Sequence, residues 1–201
     1  MTGLREQKKA EVRRHIAHTA LELAVERGPD AVSVDDIAAA AGVSPRTVFN
    51  HFGTKDQAII GVDESGAVEL ADEVAGLLTE MDPARAIGAA VARRMSASSE
   101  NGRFWLARAQ LVAQHPHLHA AMMASQRLTE AELTRVVADH LGLDPERHDL
   151  PALLVAAVMA ALRATLARHG CASPETLRRA LRDAADLVAH GFAPSDPPGA
   201  R

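Results

Sequence analysis

Tyrosine is missing from this chain, and four Phe with one Trp bring its aromatic content to only 2%. Strand-like alternation of β-branched residues is missing as well, while Ala, Leu, Arg and Glu dominate. These residues favour helix, so the expected class is all-α. The single cysteine, Cys171, excludes an intramolecular disulfide framework and fits a reducing interior. No charged-then-apolar leader opens the chain, and the most apolar stretch, Leu150 to Leu162, is too short for a membrane span. A cytoplasmic protein with no membrane partner is expected.

Catalytic signatures are lacking too. There is no phosphate-cradling glycine loop, nucleophile elbow or zincin helix. His115, His117 and His119 alternate, but on a helix this spacing scatters them over different faces, and Pro116 disturbs the start, so no metal is expected. Asp35 and Asp36 are better explained as first-turn residues answering a helix dipole than as catalytic carboxylates. Neither an enzyme nor a cofactor is expected.

What the chain does have is apolar bulk: 47% of its 201 residues are hydrophobic, enough for one or two compact domains with a real core. Its net charge of −4 looks wrong for a nucleic-acid partner until the chain is divided. Residues 1–55 hold 8 Lys+Arg against 7 Asp+Glu, and the remainder holds 14 against 19. Lys8, Lys9 and Lys55 all lie in the first part. Affinity for DNA follows local charge, so contact would fall to the amino-terminal end.

The stretch from Ser33 to Lys55, SVDDIAAAAGVSPRTVFNHFGTK, carries the most information. Ser33 with Asp36 is a capping-box pattern that starts a helix at Val34. Gly42 sits where a helix ends in the left-handed conformation, and Ser44-Pro45 signals a second start. At 100° per residue Val48 and Phe52 fall on one side, with Ile37 and Val43 available to pack on them; Arg46, Thr47 and Asn50 point the other way. Phe49 and His51 lie at the margins. Two short helices across a glycine-containing turn form the helix-turn-helix arrangement that lays its second helix in the DNA major groove. An Arg fork suits guanine, Asn suits adenine, and a Thr methyl can meet the thymine methyl. The margin residues and Lys55, at the next helix start, are placed to meet phosphates.

Ile37-Ala38, Ala41-Gly42-Val43-Ser44, Thr47-Val48-Phe49, His51-Phe52 and Thr54-Lys55-Asp56 resemble the amino-terminal signature of TetR-family transcriptional regulators over roughly the first third of the chain. The pattern departs at Phe49, where the family commonly has a tyrosine whose hydroxyl reaches a phosphate, and at Ala58, which replaces a larger apolar residue. The candidate DNA-contacting set is Ser33, Ser44, Pro45, Arg46, Thr47, Phe49, Asn50, His51 and Lys55. The resemblance implies an amino-terminal three-helix DNA-binding domain plus a carboxy-terminal helical domain for effector binding and dimerisation, about nine helices in all.

The rest of the chain divides accordingly. Val12, Ile16, Ala20 and Leu23 make the apolar stripe of a first helix that Gly28-Pro29-Asp30 stops. The DNA-binding domain is expected over 1–55, the effector and dimerisation domain over 56–193, and a flexible Pro/Gly tail over 194–201. Phe104, Trp105, Leu111, Met122 and Met123, with Met159 further on, are soft or bulky side chains that adapt to irregular apolar ligands. The same residues at helical spacing also serve as plain core; the resemblance, which implies a sensor domain here, makes them the candidate effector pocket. A helix from Pro151 is apolar almost all round and must be covered. Leu154 and Met159 on it, with the stripe Leu177, Leu181, Ala184 and Val188 on the last helix, form the candidate interface of a homodimer.

The expected function is a ligand-responsive transcriptional regulator, a repressor released from a near-palindromic double-stranded DNA operator by a small apolar or amphipathic effector. Two rivals stand beside it: an effector-independent helical DNA-binding adaptor that assembles protein partners, and a small-molecule-binding or small-molecule-transforming α-protein whose first helices only pack.

Overall fold

The computed structural model describes residues 2–62, 64–96, 99–169 and 173–191, and all the regular structure among them is helical. In chain order the helices are α1 (Thr2–Arg27), α2 (Val34–Ala40), α3 (Pro45–His51), α4 (Lys55–Ile60), α5 (Glu64–Leu77), α6 (Pro83–Ser96), α7 (Ser99–Gln114), α8 (Pro116–Leu141), α9 (Leu150–His169) and α10 (Pro174–Ala189), with a 3-10 turn at Pro29–Ala31 after α1. Cys171, the tail beyond 191 and the side chains of Phe104 and Trp105 lie outside the described residues.

Two compact units emerge, Met1–Gly66 with Leu106–Gln126, and Ala67–Trp105 with Arg127–Arg201. In the first, α1 turns Ile16, Ala20, Leu23 and Ala24 inward, as its 3.6-residue spacing dictates. The expected boundary at residue 55 falls short. Ala58, Ile59 and Ile60 of α4 are fully buried, and α4 packs along α1, so it belongs to the amino-terminal core. Ala58, where the family pattern has a larger side chain, is one of the buried three. Gly61 closes α4 in the left-handed conformation at φ 66°, a C-cap that glycine adopts without strain. Residues 106–126 join this unit and bury Leu111 and Leu118.

The second unit is built on α6 packed against α10, with α9 beside both. Ala86, Ile87, Ala90 and Val91 of α6 meet a core completed by Val155, Val158 and Leu162 of α9. Leu177, Leu181 and Ala184, expected at a dimer interface, are at most 8% exposed and lie in the core of this unit. Leu154, Met159 and Val188 are half-buried against the same core. The sequence period marks a buried stripe on α10 correctly; it does not say which partner buries it.

One face of α9 remains uncovered. Leu150 and Leu153 are 55% and 65% exposed, and Ala156, Ala160 and Ala164 continue the same outward face at helical spacing. The sequence-based length of this apolar stretch is also corrected: α9 runs to His169, and by length and composition alone its 20 residues would suffice to cross a membrane. One such helix is weak evidence, because helices that pack in soluble proteins share the trait.

Close approach of α6 and α10 depends on Gly88. A Cβ placed there would lie 2.3 Å from the Cβ of Ala185, and neither helix backbone can step aside cheaply. The Gly88→Ala variant should therefore lose about 1–3 kcal/mol, overpacking outweighing the roughly 1 kcal/mol gained in helix propensity. Thermal unfolding checks this: Gly88→Ala should melt below wild type, and adding Ala185→Gly should recover most of the difference.

Candidate nucleic-acid interface

Short helices need their ends satisfied, and those of the first unit are capped one after another. The Ser33 hydroxyl accepts from Asp36 N at 3.1 Å, while the Asp36 carboxylate accepts from Ser33 N at 2.9 Å and also from the Ser33 hydroxyl. That is the complete capping box expected at the start of α2. Gly42, at φ 64°, turns the chain out of α2. At Ser44 the hydroxyl accepts from Thr47 N at 3.1 Å, and Pro45 occupies the first helical position, where a missing N–H costs nothing. Thr54 and Gln57 repeat the capping box for α4.

These caps orient α3. Val48 and Phe52, the residue that closes it, are each 1% exposed, whereas Arg46 and Asn50, one helical turn apart, are exposed to solvent. Ser44 and Pro45 are exposed beside them. Thr47 is half-buried, and its hydroxyl lies 2.8 Å from that of Ser44, so its polar atom is already engaged and its methyl is the part left for a partner. Phe49 is 54% exposed and His51 half-buried at the two margins. Ser33 is exposed, but its hydroxyl is engaged with Asp36 on both sides.

Lys55 differs from a simple solvent-facing cation. It is half-buried, and its Nζ donates to the Pro29 carbonyl at 2.8 Å, tying the first residue of α4 to the turn that follows α1. An ammonium has three N–H donors, so two remain for an anion. Two other contacts in this unit carry no local sequence signature. Arg108 of α7 donates from Nη1 to the Ile60 carbonyl at 2.9 Å, at the negative end of α4, and burial pushes its guanidinium well below the usual arginine range. His117 Nε2 stands 3.7 Å from Asp30 in the turn before α2. Both join residues dozens of positions apart, so no motif scan could have found them.

The pocket candidates separate. Leu111 is buried and Met122 and Met123 half-buried in the first unit, whereas Met159 is half-buried in the second. A cleft of about 560 Å³ in the second unit is lined by none of them; Asp72, Ala75, Leu78 and Thr79 face Arg135, Val136, Asp139 and His140 across it. Arg135 is already answered there by Glu132 and Asp139. No group of three or more His, Cys, Asp or Glu placed to hold a metal occurs among the described residues.

The cap at Ser33 draws on the charge of Asp36. Hydrogen bonds from the Ser33 side chain and backbone hold the Asp36 carboxyl below the usual carboxylate range, aided by Arg27. A depressed pKa means that the folded state prefers the ionised form, so its stabilising contribution is present above the unfolded carboxylate value and is lost as pH falls through the lower folded one. Asp36→Asn should therefore melt below wild type at neutral pH, and the gap should close in the acid range; a gap independent of pH would show that the charge plays no part.

Two families match. Residues 16–59 match bacterial regulatory proteins of the tetR family, and residues 81–193 match the MftR C-terminal domain. The HTH-type transcriptional regulator TcmR of Streptomyces glaucescens is 30% identical over 160 residues, covering 77% of this chain and 71% of the relative. Among solved structures, the complex of SmeT with triclosan aligns at a TM-score of 0.56 and 20% identity, over 94% of this chain and 98% of that one; SmeT is the repressor of a multidrug efflux pump in Stenotrophomonas maltophilia. FadR of Thermus thermophilus, a repressor solved with lauroyl-CoA, aligns at 0.50 and 20% identity over 93% and 98%. The capped helix-turn-helix, the all-helical second unit and these matches together establish that the chain belongs to the TetR family and is a DNA-binding transcriptional regulator rather than an enzyme.

Proposed function

We propose that the protein is a homodimeric repressor that reads a near-palindromic operator with two copies of α3 and releases it when a small apolar or amphipathic molecule binds. The observation that carries this is the exposed pair Arg46 and Asn50 on a helix whose opposite side, Val48, is committed to the core together with Phe52. An Arg fork pairs with guanine O6 and N7, and an Asn amide pairs with adenine N6 and N7, each through two hydrogen bonds. Ser44, Pro45, His51 and Lys55 surround the pair, where phosphates border the bases, and Phe49 stands beside it. Two such helices serve half-sites about 34–36 Å apart, or a multiple of that.

Apolar or amphipathic effectors are supported by the ligands of the two like-folded proteins, triclosan for SmeT and lauroyl-CoA for FadR. The candidates to meet one remain Phe104, Trp105, Leu111, Met122, Met123 and Met159. Such a molecule releases DNA only as far as it prefers the non-binding conformer; driving the protein from almost all bound to almost all free takes a preference of about 5.5 kcal/mol. The bond from Arg108 to the last carbonyl of α4 lets a shift in α7 reach the DNA-binding unit.

The dimer face is the outward side of α9. Leu153, Ala156, Ala160 and Ala164 form a strip of one large and three small apolar side chains, which allows a second helix to approach closely. A cytoplasmic site of action goes with a DNA target.

Genomic fragments retained by the protein and sequenced should share a two-fold symmetric site. On that site Arg46→Ala and Asn50→Ala should each lose about 1–3 kcal/mol and relax preference at one base pair, while Lys55→Ala weakens all sequences alike. Equal binding of wild type and Arg46→Ala to every duplex would refute base reading by α3. Leu153→Glu should sediment as a folded monomer and bind the operator more weakly; a dimer unaffected by that charge would put the interface elsewhere.

A further inference from the structure

Two phenylalanines three residues apart meet opposite fates at the DNA-facing helix. Phe52 is 1% exposed and anchors α3, whereas Phe49 leaves 54% of its surface in water. In a chain with 2% aromatic residues, a phenyl ring left mostly outside the core of its own unit adds little to stability there, and an exposed aromatic beside polar base-reading groups has the character of a contact residue. Phe49 stands one turn beyond Arg46 and directly before Asn50, so its ring flanks the polar pair on one side. On the other side Thr47 has its hydroxyl engaged by Ser44 and presents a methyl. The face thus reads apolar, polar, polar, apolar. A phenyl ring has no hydrogen for a phosphate oxygen, and the group it suits in the major groove is the 5-methyl of thymine.

We infer that Phe49 is a specificity-determining residue that recognises a thymine methyl group next to the bases read by Arg46 and Asn50. The inference rests on the major-groove placement of α3 proposed above. It adds an apolar reading at one further base pair in each half-site, where a backbone contact would carry no sequence information.

The test replaces each thymine of the selected operator, one at a time, by deoxyuridine, which removes only the 5-methyl and keeps every hydrogen bond. At one thymine per half-site, wild type should bind the uracil duplex about fourfold more weakly, the fold-change that corresponds to withdrawing one buried methyl group. Phe49→Ala should bind the all-thymine operator more weakly by a similar factor and make no distinction between thymine and uracil there. Phe49→Tyr, which keeps the ring, should retain the distinction. Both variants should melt close to wild type, since the ring is mostly solvent-exposed. Wild type that binds every singly substituted duplex like the parent would overturn the inference, as would a thymine preference that survives in Phe49→Ala. In either case the Arg46→Ala result still decides the major-groove placement separately: loss of preference at its own base pair preserves that placement, whereas failure of wild type to retain any fragment removes both.

Discussion

A seven-residue helix does not hold itself together in water, because nucleation costs more than so few hydrogen bonds return. Everything the DNA-binding unit does with α3 therefore depends on the burial of Val48 and Phe52, together with the Ser44 cap. These fix the rotation of the helix about its axis, and with it the direction of Arg46 and Asn50. Two apolar side chains on one face decide where two polar ones on the other can point. The constraint explains why the unit is dense in caps: α2, α3 and α4 are each seven residues or fewer, and each opens with a Ser or Thr whose oxygen satisfies an exposed N–H.

Around that anchor the unit is held by contacts from outside the helix-turn-helix. Lys55 joins the start of α4 to the turn after α1, and Arg108 joins its end to α7. With Ile59 and Ile60 fully buried, α4 is held at both ends and along its side. A helix fastened in this way keeps its place when its neighbours move only if they move together with it.

The second unit solves a different problem. Gly88 lets α6 and α10 approach until Leu177 and Leu181 are sealed inside one protomer. That packing consumes the amphipathic stripe of α10 and leaves the largely apolar α9 with an uncovered side. Ion pairs such as Arg85 with Asp186, at 2.6 Å and nearly half-exposed, add little beside this burial. The two terminal helices thus divide the work, one closing the core and the other keeping apolar surface free.

Local signals were legible in the sequence wherever the physics is local. The Ser33–Asp36 box, Gly42, Ser44-Pro45 and the Thr54–Gln57 box each act within four residues, and the side-chain period places Val48 and Phe52 opposite Arg46 and Asn50 without reference to any other helix. The all-α class followed from composition. What the tertiary structure decided is everything that depends on which helix meets which. It put α4 inside the amino-terminal core and turned the Leu177–Leu181 stripe into the core of the second unit. It also brought Lys55 to Pro29 and Arg108 to Ile60. An apolar stripe states that a face must be covered, and a cation states that it needs a partner, but neither names what supplies it, because burial depends only on excluding water and the chain offers many surfaces able to do so.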